Sequence, residues 1–147
     1  MSFTNAINKW VEQAKTDRDT VVTEIFQTMG TRIVSGTPLG DISLWKIPPP
    51  ASQDYRPGTL VNNWFAGFGE PGTPSMRPHN VTGAQSLANI AKTAKEFPGQ
   101  IAHLINPSPY ANRIEYEGHS SQAPSGMVRR TVAEFQQIVT VAVNGVK

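Results

Sequence analysis

The sequence predicts an α+β fold, a single domain with long amphipathic helices at both ends and a small β-sheet between them. Three observations carry that prediction. Apolar residues recur every three or four positions near both termini, two short strand-like runs lie in the middle, and one composition regime without internal repeats spans the chain. At 147 residues the chain is long enough to bury a core without disulfide or metal staples. Hydrophobic residues make up 38% and charged residues 16%, and 12 glycines and 12 prolines announce long connections between elements.

The first helix is read from Phe3, Ile7, Trp10, Ala14, Val21, Ile25, Met29 and Ile33, with one interruption near Arg18 that predicts a bend between Thr16 and Thr20. It should stop in "SGTPLGD", where Gly36 is suited to a left-handed helix terminus and Pro38 blocks continuation. Residues 37–58 form the first extended loop, stiffened by Pro48, Pro49 and Pro50. In "LVNNWFAGF" Leu60, Trp64, Ala66 and Phe68 fall on one face of a strand, marred only by Asn62. Residues 69–81, containing "GEPGTPSMRPHN", read as a second exposed excursion.

Thr82 followed by Gln85 makes a capping-box pattern for a helix whose stripe is Leu87, Ile90, Ala91, Ala94 and Phe97, ended by Pro98 and Gly99. "QIAHLIN" reads as a strand, and "PYANRIEYEG" as a helical turn closing at Gly118. The final helix is expected to begin at Ser125 or Gly126. Its stripe, Val128, Val132, Phe135, Val139, Ala142 and Val146, should pack on the first helix or the sheet despite the weak helix propensity of valine.

Composition narrows the chemistry. The 13 basic and 11 acidic residues are scattered, so the net charge of +2 marks no nucleic-acid patch, and the absence of cysteine removes disulfides, thiol nucleophiles and cysteine zinc sites. No apolar run approaches the roughly 20 residues of a membrane span, and "MSFTNAINKW" lacks the basic-then-apolar order of a secretion signal, so no membrane role is expected.

The stretch "GHSSQ" begins like a nucleophile elbow but has Gln122 where the second glycine belongs, and His119 and Ser120 are sequence neighbours rather than partners from distant segments. "GHSSQAPSGMV" has neither the spacing nor the lysine of a phosphate loop. His79, His103 and His119 lack metal-ligand spacing, and Glu115 and Glu117 stand two apart, which on a helix aims them at different faces. Arg129 and Arg130 could touch phosphate, and Trp45, Tyr55 and Trp64 could stack bases, but two arginines do not make a patch.

The segments "TPLGDISLWKIPPP", "YRPGTLVNNW" and "INPSPYANRIEYEGHSSQAPSGMVRRTVAEFQQIV" together resemble the neck or tail-completion proteins of tailed bacteriophages. The resemblance runs from about Thr37 to Val139. Its most specific part is Pro109-Tyr110-Ala111, Ile114-Glu115, Gly118, Ser120, Gln122-Ala123-Pro124 and Gly126-Met127-Val128, with Leu44, Trp45, Lys46, Asn63 and Trp64 upstream. Thr59 and Val61 stand where the family pattern has basic residues, so no charged partner contact carries over there.

The resemblance implies a structural virion part without catalysis, cofactor or metal. It implies a homo-oligomeric ring, six-fold or alternatively twelve-fold, assembled in the bacterial host cytoplasm and placed in the virion neck. Its partners would be head-completion or connector proteins on one side and tail terminator or tail-tube proteins on the other, with phage DNA passing non-specifically through the lumen. A tail-tube terminator ring is the alternative, and a small serine hydrolase using Ser120 or Ser121 a remote one.

On physical grounds the stiff segments 44–55 and 70–80 suit contacts with neighbours, because they lose little entropy on docking, and Trp45 and Tyr55 are expected as buried anchors. Ser120 and Gln122 are expected to hold their loop by backbone hydrogen bonds, and Pro124 to rigidify it. A pair between Glu115 and Arg129, if exposed, would contribute only about 0–1 kcal/mol.

Overall fold

A computed structural model describes residues 2–41, 43, 56–96 and 99–147. Helix α1 runs unbroken from Phe3 to Ser35, a length of about 50 Å at 1.5 Å per residue. The Ser2 hydroxyl caps its start by accepting from the Asn5 amide at 3.2 Å. The interruption predicted near Thr16 to Thr20 does not end the helix. Thr16 and Thr20 donate their hydroxyls to the carbonyls one turn back, at Glu12 and Thr16, and the ladder continues past Arg18.

At the other end Gly36 is right-handed, with φ −87°, which corrects the left-handed terminus expected there. Thr37 closes the helix instead: its amide donates to the Val34 carbonyl and its hydroxyl to the Ile33 carbonyl at 2.7 Å. A Cβ at 36 would meet the end of the Arg130 side chain, which would have to shift to admit it.

The sheet has two strands. β1, Phe65–Phe68, pairs antiparallel with β2, Ala102–Ile105, in the register Phe65 to Ile105 and Phe68 to Ala102. The strand expected from Leu60 is thus confined to its last four residues. Residues 57–62 form a turn, with the Asn62 amide on the Gly58 carbonyl and the Asn63 amide on the Leu60 carbonyl, and the side chains of Leu60 to Trp64 are all buried. A half-buried strand would expose alternate residues; here the two asparagines point into the molecule because both find backbone partners there.

Helix α2, Ala84–Lys95, packs on β1 and on α1. Of the expected stripe Ile90 and Ala94 are buried and Leu87 packs against the core, Ser86 and Thr93 join them on the buried face, and Phe97 and Pro98 lie outside the described residues. α3, Ala111–Tyr116, matches the predicted helical turn, with Gly118 beyond it at φ +58°. The last helix begins at Val128, later than expected, and comes in two pieces, α4, Val128–Ala133, and α5, Phe135–Asn144. The break at Glu134 shifts the stripe: Thr131, Ile138 and Ala142 are buried, while Val132 and Phe135 face outward. Glu134 itself pairs with Arg32 of α1. Both pieces pack on α1, and α2 is the helix, among the described residues, that covers the sheet.

The core gathers Ile33, Val34, Leu60, Val61, Trp64, Ile90, Ile114, Ala123 and Met127. Burying each of the larger ones contributes about 1.5–3 kcal/mol. It sits at the C-terminal end of α1. The N-terminal half of that helix runs on beyond it, and among the described residues no helix is long and apolar enough to cross a membrane.

Candidate functional site

Two buried polar clusters organise the loops that the sequence marks as special. The first is built on Asn62 and Asn63, both fully buried. Asn62 donates its amide to the Pro78 carbonyl at 2.9 Å and to Gln85 Oε1 at 2.7 Å, and its Oδ1 accepts from the Gln85 backbone amide at 3.1 Å. It therefore caps α2 from outside the helix. Gln85 turns to Asn62 rather than back to Thr82, Thr82 bonds Asn80, and Gly83 occupies the cap position at φ +65°, which overturns the capping box.

Asn63 reads the backbone of the second loop in both directions, accepting from the Arg77 amide at 2.6 Å and donating to the Arg77 carbonyl at 3.2 Å. The Arg77 guanidinium then turns inward to the carbonyls of Asn62 and Trp64, at 3.0 and 2.9 Å, and lies 3.8 Å from the centre of the Phe65 ring. Burial lowers its pKa, though an arginine stays charged throughout the working range. Among the described residues its partners are carbonyls, a hydroxyl and the Asn89 amide oxygen, with no carboxylate. The excursion 69–81 is consequently pinned at Arg77 while the residues on either side stay exposed.

Trp64 closes this cluster. Its backbone amide donates to Ser86 Oγ at 3.0 Å and its indole N–H to Thr37 Oγ1 at 2.9 Å, so the ring is a core residue tying α1 to α2. It offers no face for a base to stack on.

The second cluster is the joint between α3 and α4. Glu115 pairs with Arg129 as expected, but at 6% exposure the carboxylate is buried, so the small value of an exposed pair does not apply to it. Its carboxylate accepts from three successive backbone amides, Met127 at 2.6 Å, Val128 at 2.9 Å and Arg129 at 2.9 Å, and from Arg129 Nε at 3.3 Å. These are the unpaired donors of the first turn of α4, where a negative charge is also favoured by the helix dipole. Burial pushes the carboxyl upward, but the four donors outweigh it and hold its pKa below the ordinary carboxylate value.

Gly126 makes the approach possible. At φ +83° it adopts a conformation that L residues avoid, and a Cβ there would lie 2.6 Å from Glu115 Oε1. Ser120, 1% exposed, accepts the Gln122 amide on its hydroxyl at 3.2 Å, and its carbonyl accepts the Ala123 amide. Gln122 contributes that amide while its side chain is exposed, as is Pro124; Ala123 and Met127 are buried in the core. Tyr110 packs against the same core, where burial pushes its phenol up and a hydrogen bond with Thr59 offsets part of the rise.

The structure thus joins Glu115, Gly126 and Met127 in one joint, with Ser120 and Gln122 closing the loop before it, and puts Asn63 and Trp64 in another cluster. Trp45, Lys46 and Tyr55 lie outside the described residues. Sequence reasoning missed Arg77, Ser86, Asn89 and the capping role of Asn62. The one signal for them was the asparagine that spoiled the strand alternation.

What this geometry does chemically is hold loops. Among the described residues no three His, Asp or Glu side chains converge on a metal position, and His103 stands with its Nδ1 3.1 Å from the Gly69 carbonyl oxygen. Arg129 is committed to Glu115 and to the Tyr116 ring, 5.2 Å away, and Arg130 lies over Gly36. Comparisons of the chain with protein-family models, with curated proteins and with solved structures each find no match.

Three of the exposed large apolar side chains lie on the N-terminal half of α1. Phe3 is 81% exposed, Ile7 44% and Trp10 69%, at the i, i+4, i+7 spacing of one helical stripe. Ser2 to Trp10 are all exposed, on a segment that leads away from the core.

Proposed function

We propose that this chain is a structural part of a tailed bacteriophage, a neck or tail-completion protein that forms a ring between the portal or head connector and the tail tube, with DNA passing through the lumen. The observation that carries the reading is the projecting stripe Phe3, Ile7 and Trp10. Two aromatic rings and an isoleucine held in water on a long helix make sense in a part that is completed by a neighbour. The resemblance of the "PYANRIEYEGHSSQAPSGMV" region names the kind of assembly. The use of its Glu115, Ser120 and Gly126 as architecture supports a mechanical role over the serine-hydrolase alternative. The ring would be homo-oligomeric, and the long helix with the pinned excursion around Arg77 would supply its contacts.

An amber mutation in the gene for this chain, in the phage that carries it, tests the proposal. The expected result is DNA-filled heads and separate tails of normal length that join when the protein is supplied from a plasmid. Tails of irregular length would point to the terminator, and normal joined particles would refute the reading.

A further inference from the structure

The molecule carries a groove that its own projecting stripe cannot reach. A groove of about 990 Å³ runs along the middle of α1, lined by Thr20, Thr23, Gln27 and Thr31 and closed on one side by Lys95 and Glu96 at the end of α2. Its surface is mainly apolar, although every residue that lines it is of a polar or charged type. We infer that the tip of α1, carrying Phe3, Ile7 and Trp10, seats in this groove on a second copy of the chain, head to tail. The inference rests on the ring proposed above and says which surfaces close it.

Rigidity makes the contact intermolecular. Trp10 and Thr23 are on one unbroken helix, roughly 20 Å apart along its axis, so the tip cannot fold back onto its own groove. Size fits as well. The groove extends from Thr16 to Arg32, about 24 Å of helix, and the stripe from Phe3 to Trp10 covers about 10 Å. An apolar stripe at i, i+4 and i+7 entering a groove is a general mode of helix recognition. Phe3 and Trp10 together bring roughly 300 Å² of exposed apolar surface, the scale at which a patch on a monomer marks an interaction site.

Charge agrees with the placement. Lys9 is the only charged side chain between Ser2 and Val11, and among the described residues it is in no ion pair. The groove carries three acidic residues, Asp19, Glu24 and Glu96, against two basic ones, Arg32 and Lys95, a balance of one negative charge. A contact in which one patch meets a different patch on the next copy propagates, and closes if the rotation allows.

The absence of cysteine provides a clean test. In the purified chain, a variant with both Ile7→Cys and Thr23→Cys is oxidised and run without reductant. The expected result is a ladder of disulfide-linked species beyond the dimer, which Trp10→Glu in the same background reduces about tenfold or more while the circular-dichroism spectrum stays unchanged. A ladder that stops at the dimer would mean a reciprocal two-fold pair and overturn the inference. Dimers from Ile7→Cys alone, at the same yield, would mean that tips meet tips. No cross-link at all would show that the groove does not receive a second copy. The amber test above reads a different quantity, so a joining defect rescued from the plasmid, without cross-links, would sink only this contact, and cross-links with normally joined amber particles only the neck assignment.

Discussion

The helices α2 and α4 both begin without a capping side chain of their own, and each takes its cap from an earlier segment, the turn before β1 for α2 and helix α3 for α4. For α2 the donor of the cap is Asn62, neutral, bonded to a single amide and to the Pro78 and Gln85 oxygens. For α4 it is Glu115, charged, bonded to three amides and an arginine. The difference teaches what each joint is for. A neutral cap adds a fixed contact that tolerates any pH, whereas a carboxylate uses the helix dipole and its charge, binds more donors, and is sensitive to protonation.

The strongest way to break the contrast is to fill the space that admits the carboxylate. Gly126→Val should cost about 4 kcal/mol, combining left-handed strain at a branched residue with displacement of Glu115, and should show as a lowered urea midpoint. Glu115→Ala should follow at about 3 kcal/mol, since it leaves three amides of the first turn without their acceptor. Asn62→Ala should cost about 2 kcal/mol, because one cap and two loop bonds go with it.

Acid sharpens the comparison further. The folded pKa of Glu115 lies below its ordinary 4.5, so its contribution is fully present above that pH and fades as pH falls through the lower, folded value. The stability gap between the wild type and Glu115→Gln should therefore shrink in urea titrations below about pH 4.5, while the gap to Asn62→Ala should not change through that group. The smallest effect expected is at Gly118, where a Cβ would stand 3.4 Å from the Pro124 carbonyl oxygen: Gly118→Ala should cost about 1 kcal/mol, mostly from its left-handed φ. Gly118→Val should exceed His119→Ala in the same assay.

The same two joints show how far the residues could be read in advance. The α3 turn, Gly118 after it and the helix beyond Gly126 were legible, because local periodicity and glycine placement report on the chain's own backbone. That Glu115 would be buried was not, because nothing within its own turn binds it; its partners arrive 12 to 14 residues later. Thr82 and Gln85 had the right spacing for a capping box, yet Asn62 won the Gln85 amide, since a buried asparagine with several partners outcompetes a local exposed hydroxyl. Arg77 was invisible as an anchor in a loop of prolines and glycines. Its role depends on carbonyls of Asn62 and Trp64, which a turn leaves unpaired where a longer strand would have used them.

By itself the sequence determined the α+β class, the presence of a strand within Leu60–Phe68 and another within Gln100–Asn106, the long first helix, and the exclusion of thiol chemistry. These depend on periodicities and residue types that act over a few neighbours. Only the tertiary structure decided which face of each helix is buried and which residues cap helices from a distance. It alone decided, too, that the apolar stripe of α1 stays covered near Ile33 and bare at Phe3 and Trp10. A pattern says that a surface is apolar; what covers it is settled by which other elements pack there, and the described ones leave Phe3 and Trp10 exposed.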